Sequence, residues 1–404
     1  MEQTGSADPA AGGPAAEGGL GIRIRLAGTT VAGVEIASRR PVGASRVFQG
    51  KDPDGIPGMV RRLFAVCGHA QGVASLSALE AARGQDPGPR VLAAREAVLQ
   101  AELAREHLTR ILVDWSGWLR DAVPRGVAAR VRQLPEAVTR AAYPEGIFFQ
   151  ATPPPPAVLD LADEIADLEG MLRKEVLGIE PAAFGEMDLP DALGAYMEGT
   201  GALGPAFLGR LAEEGWASTG AGGSVPFLPD LAPEELAPWL GGEEAGDFVA
   251  RPLWEGRPRE TGPLARTWGC PPVAAARAGF GSGVLVRQVA RLAELAMVPA
   301  RLRELAEGQG PATIGAGSPA PGVGVGTVEA ARGRLVHRLA LENCAVTDYR
   351  ILAPTEWNFH PDGALVQGLV GTDPGGVEAA RRAADHLIGS IDPCVGYRLE
   401  VDHA

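Results

Sequence analysis

A long run of helical periodicity over about residues 90–123 limits the fold most, with Leu99, Leu103, Leu108, Ile111 and Leu112 as its candidate core positions. Further helical patterns follow Pro57, cover 156–175 after the Pro153–Pro156 stretch, and run amphipathically over 284–298 through Leu285, Val289, Leu292 and Ala296. Pro299 is expected to end or kink that last helix, with a further turn or two to Glu307, and another helix is read at 376–389. Strand alternation is confined to two places. Gly21–Leu26 with Val31–Ala37 reads as one hairpin, and Arg334–Ala340 with Val346–Leu352 as a second. Residues 191–260 read as loops with short helices, and Gly308–Gly326, rich in Gly, Pro, Ala and Ser, reads as a loop. The fold class is α+β, mostly α-helical, with β-hairpins near both ends.

Residues 1–18 carry almost no large apolar side chain and read as a disordered tail, leaving 19–404 as a single domain. Fifty acidic against 37 basic residues give a net charge of −13, which argues against nucleic acid and anionic membrane as partners. No stretch reaches the roughly 18 apolar residues of a membrane span, and no export signal opens the chain, so a cytoplasmic location is expected. Cys67, Cys270, Cys344 and Cys394 are far apart and form no CxxC pair. Such thiols are core residues, nucleophiles or metal ligands rather than a disulfide framework.

Three segments stand out. The first is Arg62-Leu63-Phe64-Ala65-Val66-Cys67-Gly68-His69-Ala70-Gln71. The second joins Glu329-Ala330-Ala331-Arg332-Gly333, Val336-His337, Tyr349 and Pro354-Thr355-Glu356-Trp357-Asn358. The third is Asp392-Pro393-Cys394-Val395-Gly396-Tyr397. In order and spacing they resemble the large subunit of nickel–iron hydrogenases, whose motifs read Arg-x-Cys-Gly-x-Cys-x-x-x-His, Glu-Ala-Pro-Arg-Gly with Pro-Thr/Ser-x-Trp-Asn, and Asp-Pro-Cys-x-x-Cys-x-x-His. Weaker matches, such as Gly262-Pro263-Leu264-Ala265-Arg266, extend the resemblance over roughly 17–404.

The resemblance implies a nickel–iron hydrogenase large-subunit-like fold. On its register Cys67 matches a bridging cysteine and Cys394 a nickel-binding one. Phe64 and Tyr397 stand where the other two ligands belong, Gln71 and Glu400 where histidines belong. Arg332 and Thr355 match residues lining the pocket for the iron's cyanide ligands. Phenylalanine offers no ligand atom and tyrosine is a hard substitute for a thiolate, so no nickel is expected and the chain is read as not an enzyme. Two thiolates suffice for a low-spin iron that already carries carbonyl and cyanide. The pattern is similar to the degenerate hydrogenase expression/formation proteins of the HupK type. That implies transient holding of Fe(CN)2(CO) for transfer, with the hydrogenase large-subunit precursor and general maturation proteins as partners. A metal-free interaction protein and a hydrogenase-like redox enzyme are the competing classes. Hydrogenase precursors commonly carry a C-terminal extension removed after metal insertion, and none is expected here.

Blander roles are weighed beside these. Arg332 also fits a buried ion pair, Cys67 a core thiol, and Trp357 a core aromatic. Cys270 and Cys344, which match no ligand position, are expected in the core. His69 does not align with the family histidine and is expected at the surface. Glu17 is uninformative.

Overall fold

The computed structural model describes residues 19–40, 43–64, 66–119, 126–156, 158–199, 201–223, 225–310 and 312–403. The expected tail over 1–18, and Glu17 within it, lie outside the described residues. Strands β1 (Leu20–Ala27) and β2 (Thr30–Ser38) form the first hairpin. Their period of two buries Leu20, Ile22, Ile24 and Leu26 and leaves Arg23 and Arg25 in solvent.

Helix α1 (Ile56–Leu63) leads into α2 (Gly68–Arg83), and α3 (Pro89–Arg110) is the expected long helix. A π turn over Ile111–Trp115 carries it on to Leu119. The helix expected from 156 starts later, at Ala162, and ends in a second π turn over Leu172–Leu177. Pro190–Met197, Leu203–Glu213, Pro233–Gly241 and Ala245–Ala250 are the short helices of the Gly- and Pro-rich middle.

Helix α4 (Val284–Ala306) bears out one expectation and corrects another. It does not end at Pro299 but carries on over the further turns expected toward Glu307, whereas every residue over Val284–Ala296 is buried, so that stretch is enclosed and not amphipathic. Its polar residues survive burial because each has a partner: Arg287 with Glu260 at 2.9 Å, Arg291 with Gln288 at 2.7 Å, and Glu294 with Arg266 at 2.5 Å. Val298, Leu302 and Leu305 are buried on either side of Pro299, so one packed face holds the helix together past the hydrogen bond that Pro299 cannot make.

Gly308–Gly326 is not a loop throughout. It holds β3 (Gly315–Ala320) and the start of β4 (Val323–Ala330), which with β5 (Gly333–Glu342) and β6 (Ala345–Leu352) make an antiparallel sheet in the order β3-β4-β5-β6. The glycines that disguised it are where the sheet meets α2. A Cβ at Gly324 would lie 2.6 Å from the Ala82 nitrogen, and one at Gly326 2.6 Å from the Ala78 nitrogen. Ala74, Ala78 and Ala82 recur every four residues on α2, so helix and strand touch backbone to backbone. After α5 (Val377–Ile391) the chain ends as β7 (Tyr397–His403), which pairs parallel to β1 from Leu20 opposite Tyr397.

One cysteine expectation fails: Cys344 is exposed at the β5–β6 turn with a positive φ of 61°, its place set by the turn. Cys270 is half-buried and packs against the main core, its sulfur 3.9 Å from that of Met297. Trp357 is fully buried, as expected of a core aromatic. Among the described residues no helix is long and apolar enough to cross a membrane.

Candidate thiol site

Cys67 is the residue before α2. Gly68 follows it because a Cβ there would sit 2.7 Å from the Arg61 carbonyl. The helix start is capped from outside: the Glu102 carboxylate of α3 accepts from the His69 and Ala70 amides at 2.9 and 2.8 Å. Arg105 donates to the Val66 carbonyl and so ties the approach to Cys67 to the same helix. His69 is therefore not a surface residue. It is buried with its Nδ1 2.9 Å from Glu102, a partner 33 positions away that no local pattern announces. Burial pushes Glu102 up, but the His69 hydrogen bond and charge and nearby Arg105 outweigh it, and the group lies below the ordinary carboxylate range.

Cys394 arrives from the other end of the chain. Asp392 ends α5 in the left-handed region at φ 66°, Pro393 prevents further helix, and Cys394 follows. The Asp392 carboxylate is buried among Arg110 at 2.8 Å, Arg332 at 3.3 Å and Arg291 at 3.8 Å. These cations overcome burial and hold it below the usual range. Thr355 is buried with Oγ1 3.0 Å from the Cys394 sulfur.

Arg332 closes the site. Its Nη1 donates to Glu106 at 3.0 Å and its Nη2 to Asp392 at 3.3 Å. Its Nε is buried without a hydrogen-bond partner. Burial opposes the charge, yet Asp392, Glu106 and Cys394 raise the pKa above that of ordinary arginine. Asn358 of the Trp-Asn motif accepts from the Thr261 amide and donates to the Arg332 carbonyl, both at 2.9 Å. That explains why the two motifs of the central segment occur together. The buried ion pair weighed for Arg332 is thus present, and it is what aims the guanidinium.

Cys67 is half-buried, and burial, with smaller pushes from Cys394 and Glu102, raises its thiol to about 12. Gln71 donates to the Cys67 sulfur at 3.6 Å. Its amide oxygen lies 2.8 Å from His337 Nε2, and His337 Nδ1 lies 2.8 Å from the Tyr349 hydroxyl, which contacts Ser75 at 2.8 Å. Burial lowers His337 to about 3, so the ring is neutral and links Gln71 to Tyr349 through its two nitrogens. The other two matched ligand positions turn away. Phe64 packs into the small core around Phe48 and Tyr349, while Tyr397 is 41 % exposed with its hydroxyl 3.0 Å from Asp385.

Sequence reasoning missed Arg40, which belongs to no motif. It pairs with Glu356 at 2.8 Å, and the charges of Cys394 and Cys67 also act on it. Only Glu356, the variable residue of the Pro-Thr-x-Trp-Asn pattern, pointed that way. Among the described residues no cluster of three or more His, Cys, Asp or Glu is placed to hold a metal. The site offers two thiols, one hydroxyl and two guanidinium groups.

The model of the nickel-dependent hydrogenase family matches residues 285–396. The structure resembles the Ni-Fe-Se hydrogenase from D. vulgaris Hildenborough with a TM-score of 0.60 and 15% identity, covering 91% of this chain and 94% of that one. Fold and motifs therefore place the chain in the class of nickel–iron hydrogenase large-subunit-like proteins. Hydrogenase expression/formation protein HoxV of Cupriavidus necator is 32% identical over 381 residues, 90% of this chain and 92% of the relative. HupV of Azotobacter chroococcum is 31% identical over 389 residues, covering 96% and 99%. HupK of Bradyrhizobium diazoefficiens is 30% identical over 399 residues, covering 95% and 97%. The chain belongs to this hydrogenase expression/formation protein family.

Proposed function

We propose that the chain is a non-catalytic scaffold in nickel–iron hydrogenase maturation that holds Fe(CN)2(CO) on Cys67 and Cys394 and releases it to the hydrogenase large-subunit precursor. The observation that carries this reading is the donor set: two half-buried thiols, with the Thr355 hydroxyl on one sulfur and the Gln71 amide on the other. Soft thiolates suit iron, and an ion whose coordination sphere is mostly filled by strong-field diatomic ligands needs few protein donors. The unpartnered Nε–H of Arg332 and the Thr355 hydroxyl are the donors available to a cyanide nitrogen. A nickel site lacks support, because Phe64 has no ligand atom and Tyr397 faces Asp385.

Burial keeps the Cys67 thiol protonated, so capture of a metal there would release a proton. The partners are the large-subunit precursor and the general maturation proteins that build the iron unit, and the location is cytoplasmic.

The test is infrared spectroscopy of the chain purified anaerobically from a host with intact maturation genes. Cyanide and carbonyl stretching bands are expected in the wild type and lost in Cys67→Ser and in Cys394→Ser. A blank wild-type spectrum would replace the scaffold with a metal-free interaction role.

A further inference from the structure

We infer that the cleft between the end of β2 and the Thr355 helix is the route by which a small anion reaches the thiol pair, and that Arg40 is the cation that selects it. This deepens the scaffold reading, but it concerns access and charge and is tested without iron.

The cleft measures about 290 Å³ and is bounded by Ser38, Arg40, Arg251, Thr355, Glu356 and Phe359. At roughly 30 Å³ per water it holds the volume of about ten waters, enough for a metal with three diatomic ligands. Thr355 is one of its lining residues, and the Thr355 hydroxyl is the 3.0 Å neighbour of the Cys394 sulfur. One residue therefore adjoins both the cleft and the thiol.

Its charge is not neutral. Two arginines, Arg40 and Arg251, line it with one carboxylate, Glu356, which pairs with Arg40. The Glu356 side chain is only 8 % exposed, and Arg40 Nη1 and Glu356 Oε2 are both buried with no hydrogen-bond partner, so the pair leaves a cationic donor open to an anion beside an unmet carboxylate oxygen. Arg40 is itself 15 % exposed and lies close enough to both cysteines for their charges to act on it. Arg332 brackets the same cysteines through Glu106 and Asp392. A ligand entering past Arg40 thus moves from one guanidinium toward another, a path that favours an anion or a ligand with acceptor atoms at its rim.

The experiment alkylates the intact chain with iodoacetate, which is anionic, or iodoacetamide, which is neutral, and reads each cysteine by peptide mass spectrometry. Cys344, exposed on the far β5–β6 turn, is the internal reference. Relative to Cys344, Cys394 is expected to prefer iodoacetate. Arg40→Gln should reduce that preference about fivefold, the factor for one unit charge at roughly 8 Å with an effective dielectric of about 40, between protein surface and water. Arg40→Lys should keep it. Ser38→Trp should slow both reagents at Cys394 and leave Cys344 unchanged. An unchanged iodoacetate preference in Arg40→Gln, or an unchanged Cys394 rate in Ser38→Trp, overturns the inference. If Arg40→Gln does not fold, loss of the preference in Arg40→Lys overturns it as well. A blank infrared spectrum alongside the expected alkylation pattern would remove the iron reading and keep the anion route.

Discussion

Gly326→Ala separates the stability of the fold from the geometry of the site. The new Cβ would lie 2.6 Å from the Ala78 nitrogen and nearer still to the Ala74 carbonyl, both backbone atoms of α2. Ordinary contact is roughly 3.5 Å, so helix and strand must part by about 1 Å. Overpacking of this kind costs about 1–3 kcal/mol. A chain of 404 residues unfolds with an entropy of about 0.8 kcal/mol/K, so the melting temperature should fall by only about 1–4 °C. The site is far less forgiving, because metal–ligand distances tolerate about 0.2 Å. Ala74 lies two turns along the helix that Cys67 begins, so a 1 Å displacement moves Cys67 relative to Cys394 by several times that tolerance. The expected result is a small calorimetric shift together with loss of most of the cyanide and carbonyl infrared intensity. Gly246→Ala, where a Cβ meets nothing within 4 Å, is the control and should change neither. Full infrared intensity in a folded Gly326→Ala protein would refute the reasoning.

Two other outcomes follow from the buried charges. Arg332→Met leaves Glu106 and Asp392 short of a partner and should cost about 3 kcal/mol in urea denaturation, whereas Arg332→Lys should cost less; equal, negligible losses would contradict the network described. Acidification should destabilise the chain through its histidines. His337 is lowered by burial to about 3 and His386 to about 4, both below the ordinary 6.5, so between those values the unfolded chain binds protons that the folded chain refuses. Stability is complete above about pH 6.5 and is lost as pH falls toward 4, by up to about 1.4 kcal/mol per pH unit for each ring. Urea midpoints at stepped pH should show His386→Asn with the shallower decline, and identical slopes would count against it.

Much of the site was legible because its residues sit in contiguous motifs. Cys67-Gly68, Arg332-Gly333, Thr355 with Asn358, and Asp392-Pro393-Cys394 each encode a local turn or helix start, and the fold brings those turns together. What escaped depends on distant partners. His69 looked like a surface residue because Glu102, which buries it, lies on another helix. β3 and β4 looked like a loop because Gly324 and Gly326 serve the approach of α2, a contact invisible along the strand itself. Pro299 looked like an end or a kink because the partners that bury Val298, Leu302 and Leu305 beside it come from elsewhere in the chain. Arg40 carries no motif and is recognised only by its place beside Glu356.

The parallel pairing of β1 with β7 also sets a timetable. Leu20 and Tyr397 are partners, yet a ribosome makes one long before the other. At about 5–20 residues per second, the chain between them takes roughly 20–75 s to synthesise. Throughout that interval the β1 edge stands open, an apolar strand of Leu20, Ile22, Ile24 and Leu26 with only Arg23 and Arg25 on its outer face to discourage pairing with a neighbouring nascent chain. The segment that finally covers this edge begins three residues after Cys394. Shielding of the nascent chain and completion of the thiol pair are therefore nearly one event, and Cys67 waits alone while the chain between it and Cys394 is made.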